Sequence, residues 1–387
     1  MSEIHKTIEG WRPGVLNRKQ LRDLCVGQIV RNLKSDDIKE DDASAIDLHI
    51  SGPVYKMQAC FKSQRTYDVR ELINTMKDKE VDFDGDGKII LEKNNVYVFE
   101  AQESLNLENT GLSGQATGKS TFGRIDILTR LLMSYADSYD TVQINSRGPL
   151  WVEITPITFN VKLKRGMSLN QLRLYKGEPN VCRINNEDLG LWGNSIFDDD
   201  GGSVKFPENL TLNLKADPKL GDDICAYVAK ESEKDDVLDL TIDLKAGEFL
   251  RTSKYWQPLK PNVNKPLAIE IRPERFYILR SKERFMLSKS VAIYCQAVAE
   301  TLGELRIHYA GFVHPRFGEG RSDKKGAPLI FEVRGHNVKA FLQDGETLAR
   351  LEYFFMSEDA EPYQCGYSEQ GLKLSRYFKE EAQKEAQ

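Results

Sequence analysis

The sequence has 387 residues, 40% hydrophobic and 29% charged, with a formal net charge of −5 at pH 7. The length suits two domains of an ordinary water-soluble protein, and the negative charge argues against a protein that wraps nucleic acid. Without a long apolar run or a C-x-x-C pair among the six cysteines, we expect a cytoplasmic protein with no membrane contact, no zinc ribbon and no disulfide framework.

The predicted elements begin with one amphipathic helix and continue as short strands. Apolar residues recur at helical spacing from Asn17 to Arg31, with Asn17 as the N-cap. Alternating runs bounded by turn residues then predict strands over Ile46–Ile50, Val54–Phe61, Lys88–Glu92, Val96–Glu100, Leu150–Ile154, Phe159–Leu163 and Leu169–Leu174. Many short strands with evenly spaced turns indicate barrels or jelly rolls rather than an α/β sheet.

A segment rich in Gly, Asp and Asn interrupts this pattern over Asn185–Pro207. We interpret it as an inter-domain connection, which predicts a first domain over 1–184, a connector over 185–204 and a second domain over 205–387. The strand pattern restarts at Leu210–Leu214 and Ile224–Ala229, and the charged tail from Lys373 is helix-prone.

The second half of the chain repeats the first. Val96–Ile127 aligns with Phe276–Ile307 without a gap at a constant offset of 180. The framework is kept, but Lys119, Ser120 and Arg124 of the first copy are replaced by Ala299, Glu300 and Glu304 in the second. We infer a duplicated fold in which only the first copy retains a segment able to bind a polyanion.

That segment, GQATGKS over Gly114–Ser120, resembles a P-loop without matching it. The P-loop pattern has four residues between its glycines, and here there are three. Lys119, Ser120, Thr121 and Arg124 nevertheless form a compact set of donors suited to triphosphate oxygens. The alternative is a turn whose charges face water.

Two other sets of residues could suggest metal sites. Asp82–Lys93 imitates an EF-hand loop, but Lys93 stands where a bidentate Glu is needed, which favours an acidic hairpin turn. His308, His314 and His336 have no ligand-like spacing, so we expect hydrogen-bonding or pocket histidines and no metal site.

Two glutamates lie inside apolar strands. Glu153 occurs in LWVEI and Glu332 in LIFEV, and the two are equivalent at an offset of 179. Alternation permits an outward-facing side chain at either position. A buried carboxyl in an apolar pocket would instead have a raised pKa suited to general acid/base catalysis.

Taken together, five stretches resemble the long, internally duplicated dCTP deaminases of the dUTPase-like superfamily. They are the strand SAIDLHIS (Ser44–Ser51), the phosphate loop GKSTFGR (Gly118–Arg124), the nucleoside hairpin HYAGFVHPRF (His308–Phe317), the strand LIFEV (Leu329–Val333) and the closing tail YSEQGLKLS (Tyr367–Ser375). Arranged in this order, the five stretches extend over nearly the whole chain.

The resemblance implies two distorted jelly-roll-like β-barrels with a few short helices. It also implies a zinc-free deaminase in which water attacks C4 of the cytosine ring of dCTP, a glutamate moves protons, and Mg²⁺ accompanies the triphosphate. A homo-oligomer, trimeric or dimeric, and feedback by dTTP are properties of relatives that would extend to this chain.

Only the first copy keeps the phosphate loop and only the second keeps the hairpin, so we expect one composite site between them. The implied catalytic residues are Ser120, Arg124 and Glu332, with Glu153 as the alternative acid/base. The implied substrate-binding residues are Lys119, Thr121, His308, Tyr309, Ala310, Gly311, Phe312, His314, Tyr367, Gln370 and Lys373.

One departure from the family pattern bears on the activity. The hairpin has His314 where the family has Asp, the residue that activates water for triphosphate cleavage in dUTPases. This argues against dUTP hydrolysis as the main activity. A dUTP diphosphatase, a bifunctional enzyme and a non-catalytic nucleotide-binding regulator remain the alternatives.

Overall fold

The computed structural model describes residues 3–38, 44–217, 224–231, 236–261, 267–297, 305–308, 311–319, 325–362 and 371–379, with backbone only at 186 and 305–308. Its helices are α1 (Glu3–Glu9), α2 (Arg18–Val26), α3 (Val69–Met76), α4 (Ser120–Gly123) and α5 (Thr252–Tyr255), with short 3₁₀ turns at Ser35–Asp37, Pro179–Cys182 and Asn186–Trp192. The rest of the regular structure is β-strand.

The strands of the first half are β1 (Gly14–Val15), β2 (Val30–Arg31), β3 (Ile46–Met57), β4 (Lys77–Val81), β5 (Lys88–Leu91), β6 (Val96–Asn106), β7 (Leu112–Gly118), β8 (Ile127–Leu132), β9 (Thr141–Val142), β10 (Arg147–Pro156), β11 (Asn160–Lys164) and β12 (Ser168–Lys176). Those of the second half are β13 (Ser195–Phe197), β14 (Asn209–Asn213), β15 (Ala226–Ala229), β16 (Val237–Asp239), β17 (Trp256–Leu259), β18 (Ala268–Ile271), β19 (Phe276–Met286), β20 (Val291–Ala297), β21 (Leu305–His308), β22 (Phe312–Val313), β23 (Ala327–Gly335), β24 (Ala340–Gln343) and β25 (Thr347–Phe355).

The two halves have the same strand order. In the first half neighbouring strands pair as β8-β10-β6-β3-β12-β7-β9. The second half pairs as β21-β23-β19-β14-β25-β20-β22, and the counterpart of the long β3 is divided into β14 and β15. The structure thus confirms the mainly β, internally duplicated fold predicted from the sequence.

Each half has its own apolar core, and the second half also packs on the first. Along β23, Leu329, Phe331 and Val333 point into the second core. The alternate residue Ile330 joins the first core, as does Ile278 of the neighbouring β19. Because side chains alternate along a strand, this outer face of β23 points at the first copy.

The predicted helix and strands described here are present, but the helix is shorter than predicted and two predicted strands form one. Asn17 caps α2 in a reciprocal capping box with Gln20, and the helix ends at Val26, with Gly27 as its C-cap, rather than at Arg31. The two strands predicted between Ile46 and Phe61 form the single strand β3, which ends at Met57 because the chain then turns away toward α3. The acidic segment is a turn, in which Asp84 Oδ1 accepts from two backbone amides before β5.

Two segments are built into the fold more closely than their composition suggests. The supposed connector contains β13, which pairs with β19, and it contributes Leu189 and Ile196 to the second core. These two apolar side chains anchor an otherwise polar segment. Of the helix-prone tail, the described residues up to 379 form bends and a turn rather than a helix, and Leu372, Tyr377 and Phe378 lie in the first core; residues 380–387 lie outside the described part of the chain.

Candidate active site between the two copies

The phosphate-loop segment begins where β7 ends. Lys119 precedes the single helical turn α4, and its backbone amide donates to the Leu169 carbonyl at 2.9 Å. Arg124 closes the turn. β7 pairs antiparallel with both of its neighbours, whereas a P-loop follows a parallel strand. The segment is therefore not a P-loop, in agreement with the prediction from its glycine spacing.

Glu332 reaches this segment from the second copy. It lies on β23 between β19 and β21, is 4% exposed, and points at the first copy. Ser120 Oγ donates to Glu332 Oε1 at 3.5 Å, and Arg124 Nε donates to Ser120 Oγ at 3.0 Å. A guanidinium and a hydroxyl from one copy are therefore arranged in series on a carboxyl from the other.

Gly123 makes this approach possible. A Cβ at this position would lie 2.2 Å from Glu332 Oε2 and 2.9 Å from its carboxyl carbon. No side chain larger than hydrogen fits without displacing the carboxyl group. In the sequence, the one signal at this position is that the repeat places Gly303 opposite Gly123 at the same offset of 180.

The environment of Glu332 favours its protonated form. Burial raises the pKa of the Glu332 carboxyl to about 8, while the Arg124 guanidinium and the Ser120 hydroxyl oppose that shift. The negative charge of Asp126 adds to it. A carboxyl with a pKa close to neutral can both accept and donate a proton, which is what general acid/base catalysis requires.

Lys119 forms an ion pair with Asp47 of β3, and both side chains are about a quarter exposed. Lys119 is therefore held at the mouth of the site rather than extended into water. Nothing in the sequence of the strand Ser44–Ser51 indicated a role for this carboxylate. A bound anion would compete with Asp47 for the ammonium group.

The described part of the hairpin lies against the first copy. A Cβ on Gly311 would lie 3.1 Å from Thr117 Oγ1, at the end of β7. The ring of Phe312 packs 3.9 Å from the guanidinium of Arg173, a fully buried residue of β12. Arg173 also donates to the Val313 carbonyl of the hairpin at 3.4 Å and to the Ile293 carbonyl of the neighbouring β20 at 3.0 Å, so it joins the hairpin to the first copy. Nothing in the sequence pattern distinguished this arginine.

His314 is tied to the start of β3. Its Nδ1 lies 3.0 Å from Ser44 Oγ. Burial, with the positive charges of Arg173 and Lys119, lowers the pKa of the His314 ring to about 3, so the ring is neutral near pH 7. The hairpin position that carries an acid in the family pattern therefore holds an uncharged group.

The tail covers the phosphate-loop segment. Arg124 Nη1 donates to the Lys373 carbonyl at 2.9 Å, and Ser375 Oγ donates to the Thr121 carbonyl at 2.7 Å. Phe122 packs against Tyr377 with their ring centroids 6.0 Å apart. Lys373 thus contributes its backbone to the loop, whereas Tyr367 and Gln370 lie outside the described residues, as do Tyr309 and Ala310. His308 pairs with Glu332 through the backbone.

Glu153 is not part of this site. It lies on β10, 1% exposed, with Arg130 Nη1 at 3.9 Å from its Oε1. Burial raises the pKa of its carboxyl to about 7, and Arg130 opposes the shift. The surrounding face of β10 carries Trp151 and is covered by α3 of the same copy.

Within the described residues, no three His, Cys, Asp or Glu side chains are grouped as metal ligands. None of the helices found there is long and apolar enough to cross a membrane. The donors near the loop are cations and hydroxyls, which suit the phosphate oxygens of a nucleotide better than they suit a bare cation.

Both halves of the chain match known family models. Residues 12–178 match the 2'-deoxycytidine 5'-triphosphate deaminase (DCD) N-terminal domain, and residues 195–378 match the corresponding C-terminal domain. Among solved structures, the chain is similar to the 2'-deoxycytidine 5'-triphosphate deaminase from Agrobacterium tumefaciens, with 28% identity and a TM-score of 0.77. That similarity covers 89% of this chain and 99% of the other. No curated protein matches the chain in sequence.

Proposed function

The chain belongs to the 2'-deoxycytidine 5'-triphosphate deaminase family, and on that premise we propose that it hydrolyses dCTP to dUTP and ammonia at one site built from both copies. The observation that supports this most directly is the hydrogen-bonded series Arg124, Ser120, Glu332, which crosses from one copy to the other. The dUTP formed in this reaction would supply uridine nucleotides for thymidylate synthesis.

In the proposed reaction the ionised Glu332 takes a proton from water as the water oxygen bonds to C4. The carboxyl passes this proton to ring N3, then takes the remaining hydroxyl proton and delivers it to the amino nitrogen. The C4–N bond breaks, ammonia leaves and the C4 carbonyl forms. Ser120 and Arg124 hold Glu332 in place, and they stabilise its charged form against the burial that disfavours it.

Substrate binding would use the cations at the loop. We propose that the triphosphate, with its Mg²⁺, draws Lys119 away from Asp47, while the backbone amides of Ser120 and Thr121 and the Thr121 hydroxyl contact phosphate oxygens. Gly311 and Phe312 would contact the nucleoside. The Mg²⁺ is part of the substrate in this scheme, and zinc has no role in it.

The experiment is to incubate the purified protein with dCTP, CTP or dUTP and Mg²⁺, separate the nucleotides and assay ammonia. Equal amounts of dUTP and ammonia from dCTP are expected. Release of pyrophosphate and a monophosphate would instead indicate a diphosphatase or a bifunctional enzyme. Stabilisation by dCTP or dTTP without turnover would indicate a nucleotide-binding regulator.

A further inference from the structure

A second set of polar contacts joins the two copies beside Glu332. Arg334 lies two residues further along β23, so both side chains leave the same face of the strand. Arg334 Nη2 donates to Asp126 Oδ2 and, at 2.8 Å, to Thr158 Oγ1, and its Nη1 donates to the Glu274 carbonyl at 2.5 Å. Arg334 and Asp126 are both buried.

Asp126 terminates the segment that carries the catalytic hydroxyl. It adopts a left-handed backbone conformation, with φ at 60°, two residues after Arg124. Its amide donates to the Gly123 carbonyl at 2.9 Å, and its carbonyl accepts from the Ile157 amide at 3.0 Å. Thr158 Oγ1 donates to the Asp126 carboxylate at 2.5 Å. Asp126 is therefore fixed to both the loop and the β10–β11 connection.

The pair consequently connects the two elements that meet in the active site. Asp126 is at the end of the loop that holds Ser120, and Arg334 is on the strand that holds Glu332. The Ser120–Glu332 hydrogen bond, at 3.5 Å, is near the limit of such bonds, so a small shift between loop and strand would break it.

Asp126 also contributes to the charge around Glu332. The described charged or titratable groups facing this carboxyl are Arg124, Asp126 with its partner Arg334, and Cys295 of β20. Burial raises the pKa of the Cys295 thiol to about 12, so this group is neutral. Asp126 raises the pKa of Glu332. Loss of either member of the ion pair should thus move that pKa, and in opposite directions.

We propose that Arg334 and Asp126 are positioning residues that hold the Ser120 loop of one copy in register with the Glu332 strand of the other. This role rests on the proposed deaminase function. Neither residue need contact the substrate, because the pair acts through Ser120 on the loop and Glu332 on the strand.

The test is the pH dependence of dCTP deamination in Asp126→Asn and Arg334→Gln. Both variants should lower kcat by roughly 10–100-fold with little change in KM, since misplacement of the reacting groups affects chemistry more than binding. The acidic limb of kcat/KM should shift to lower pH in Asp126→Asn. It should shift to higher pH in Arg334→Gln, where the Asp126 charge has lost its partner.

Two further variants keep the test decisive. Thr158→Val removes one acceptor of Arg334 without leaving a buried charge unpaired, so it should fold and lower kcat by a smaller factor even if Arg334→Gln does not fold. Lys162→Gln is the matched control, because the Lys162–Asp239 ion pair also joins the copies but does so through β11 and β16. Its kcat and its pH limb should be unchanged.

The outcomes separate the two claims. An unaltered protein that releases no ammonia from dCTP overturns the proposed function and the positioning role with it. If the unaltered protein is active but Asp126→Asn has the same kcat and the same acidic limb as Lys162→Gln, the positioning role alone is overturned. Shifts of the acidic limb in opposite directions in Asp126→Asn and Arg334→Gln support the positioning role.

Discussion

Glu332 and Glu153 occupy the same place in two copies of one sheet, yet only Glu332 meets a hydroxyl and a guanidinium from the other copy. Glu332 pairs across the strands with Ile278 and His308, and Glu153 pairs in the same way with Val98 and Arg130. Burial raises the pKa of both carboxyls, to about 8 and about 7. The difference lies in what covers the strand.

Over Glu332 lies the loop of the other copy, which brings Ser120, Arg124 and a glycine that admits the carboxyl group. Over the strand of Glu153 lies α3 of the same copy. Asp68 caps that helix and accepts a hydrogen bond from Ser134, and Arg70 packs over the ring of Trp151. Two buried carboxyls with raised pKa values at equivalent positions therefore have different neighbours, and the raised pKa alone does not distinguish them.

The comparison is tested most strongly by changing each glutamate to glutamine. Glu332→Gln should lower kcat by at least roughly 100–1,000-fold, because it removes the group that carries protons, while dCTP still binds. Glu153→Gln should change kcat by less than about threefold. Steady-state ammonia release and dCTP-induced thermal stabilisation would measure both effects. A larger loss of kcat in Glu153→Gln would reverse the assignment.

Gly123→Ala should disrupt the contact between the copies without removing any catalytic group. The added methyl would occupy space now filled by the Glu332 carboxyl, and we expect kcat to fall by about 100-fold. Gly85→Ala is the matched control, since no atom lies within 4 Å of its added Cβ. Equal activity in the two variants would mean that the carboxyl need not approach the loop so closely.

The pH profile should distinguish the two carboxyls. If ionised Glu332 accepts the proton of water, kcat/KM should rise about tenfold per pH unit up to a midpoint near 8 and then level off. Glu153→Gln should leave this midpoint in place. A midpoint near the ordinary glutamate value would contradict the effect of burial described for Glu332.

Both glutamates should also make stability depend on pH. A carboxyl whose pKa is higher in the folded than in the unfolded state favours folding less as the pH rises from its unfolded value to its folded value. Glu332→Gln should therefore raise the melting temperature relative to the unaltered protein at pH 8, with the difference shrinking toward pH 4.5. The same gain at every pH would mean that ionisation is not its cause.

The smallest effect concerns the helix that covers Glu153. Asp68→Ala removes the side-chain acceptor at the start of α3 and should lower the free energy of unfolding by about 1 kcal/mol. Because this helix lies away from the composite site, kcat should not change. Chemical denaturation and the ammonia assay would test the two statements separately, and a marked loss of kcat would connect this face to catalysis.

The sequence predicted the fold well where local patterns decide it. Alternation located β6, β10 and β12, and the constant offset between the copies anticipated their equal strand order. Composition was less informative at the segment before β14, where a few apolar residues such as Leu189 and Ile196 build a mostly polar stretch into the second core.

The site was predictable only as a set of residue types. Motifs identified Ser120, Arg124 and Glu332, but no local pattern indicates that α3 covers Glu153 while a loop from the other copy covers Glu332. Asp126 and Arg334 were missed for the same reason. Their role depends on a contact between positions 208 residues apart, which only the folded chain reveals.

The central claim is that Ser120 and Glu332 act together within one chain. The direct measurement is to co-express Ser120→Ala and Glu332→Gln chains with different tags, purify any assembly that carries both tags, and assay ammonia release from dCTP. Our account predicts no recovery beyond the activity of either variant alone, because no chain then contains both groups. Recovery to about a quarter or more of the unaltered activity would show that the loop and the strand meet between chains, and would contradict it.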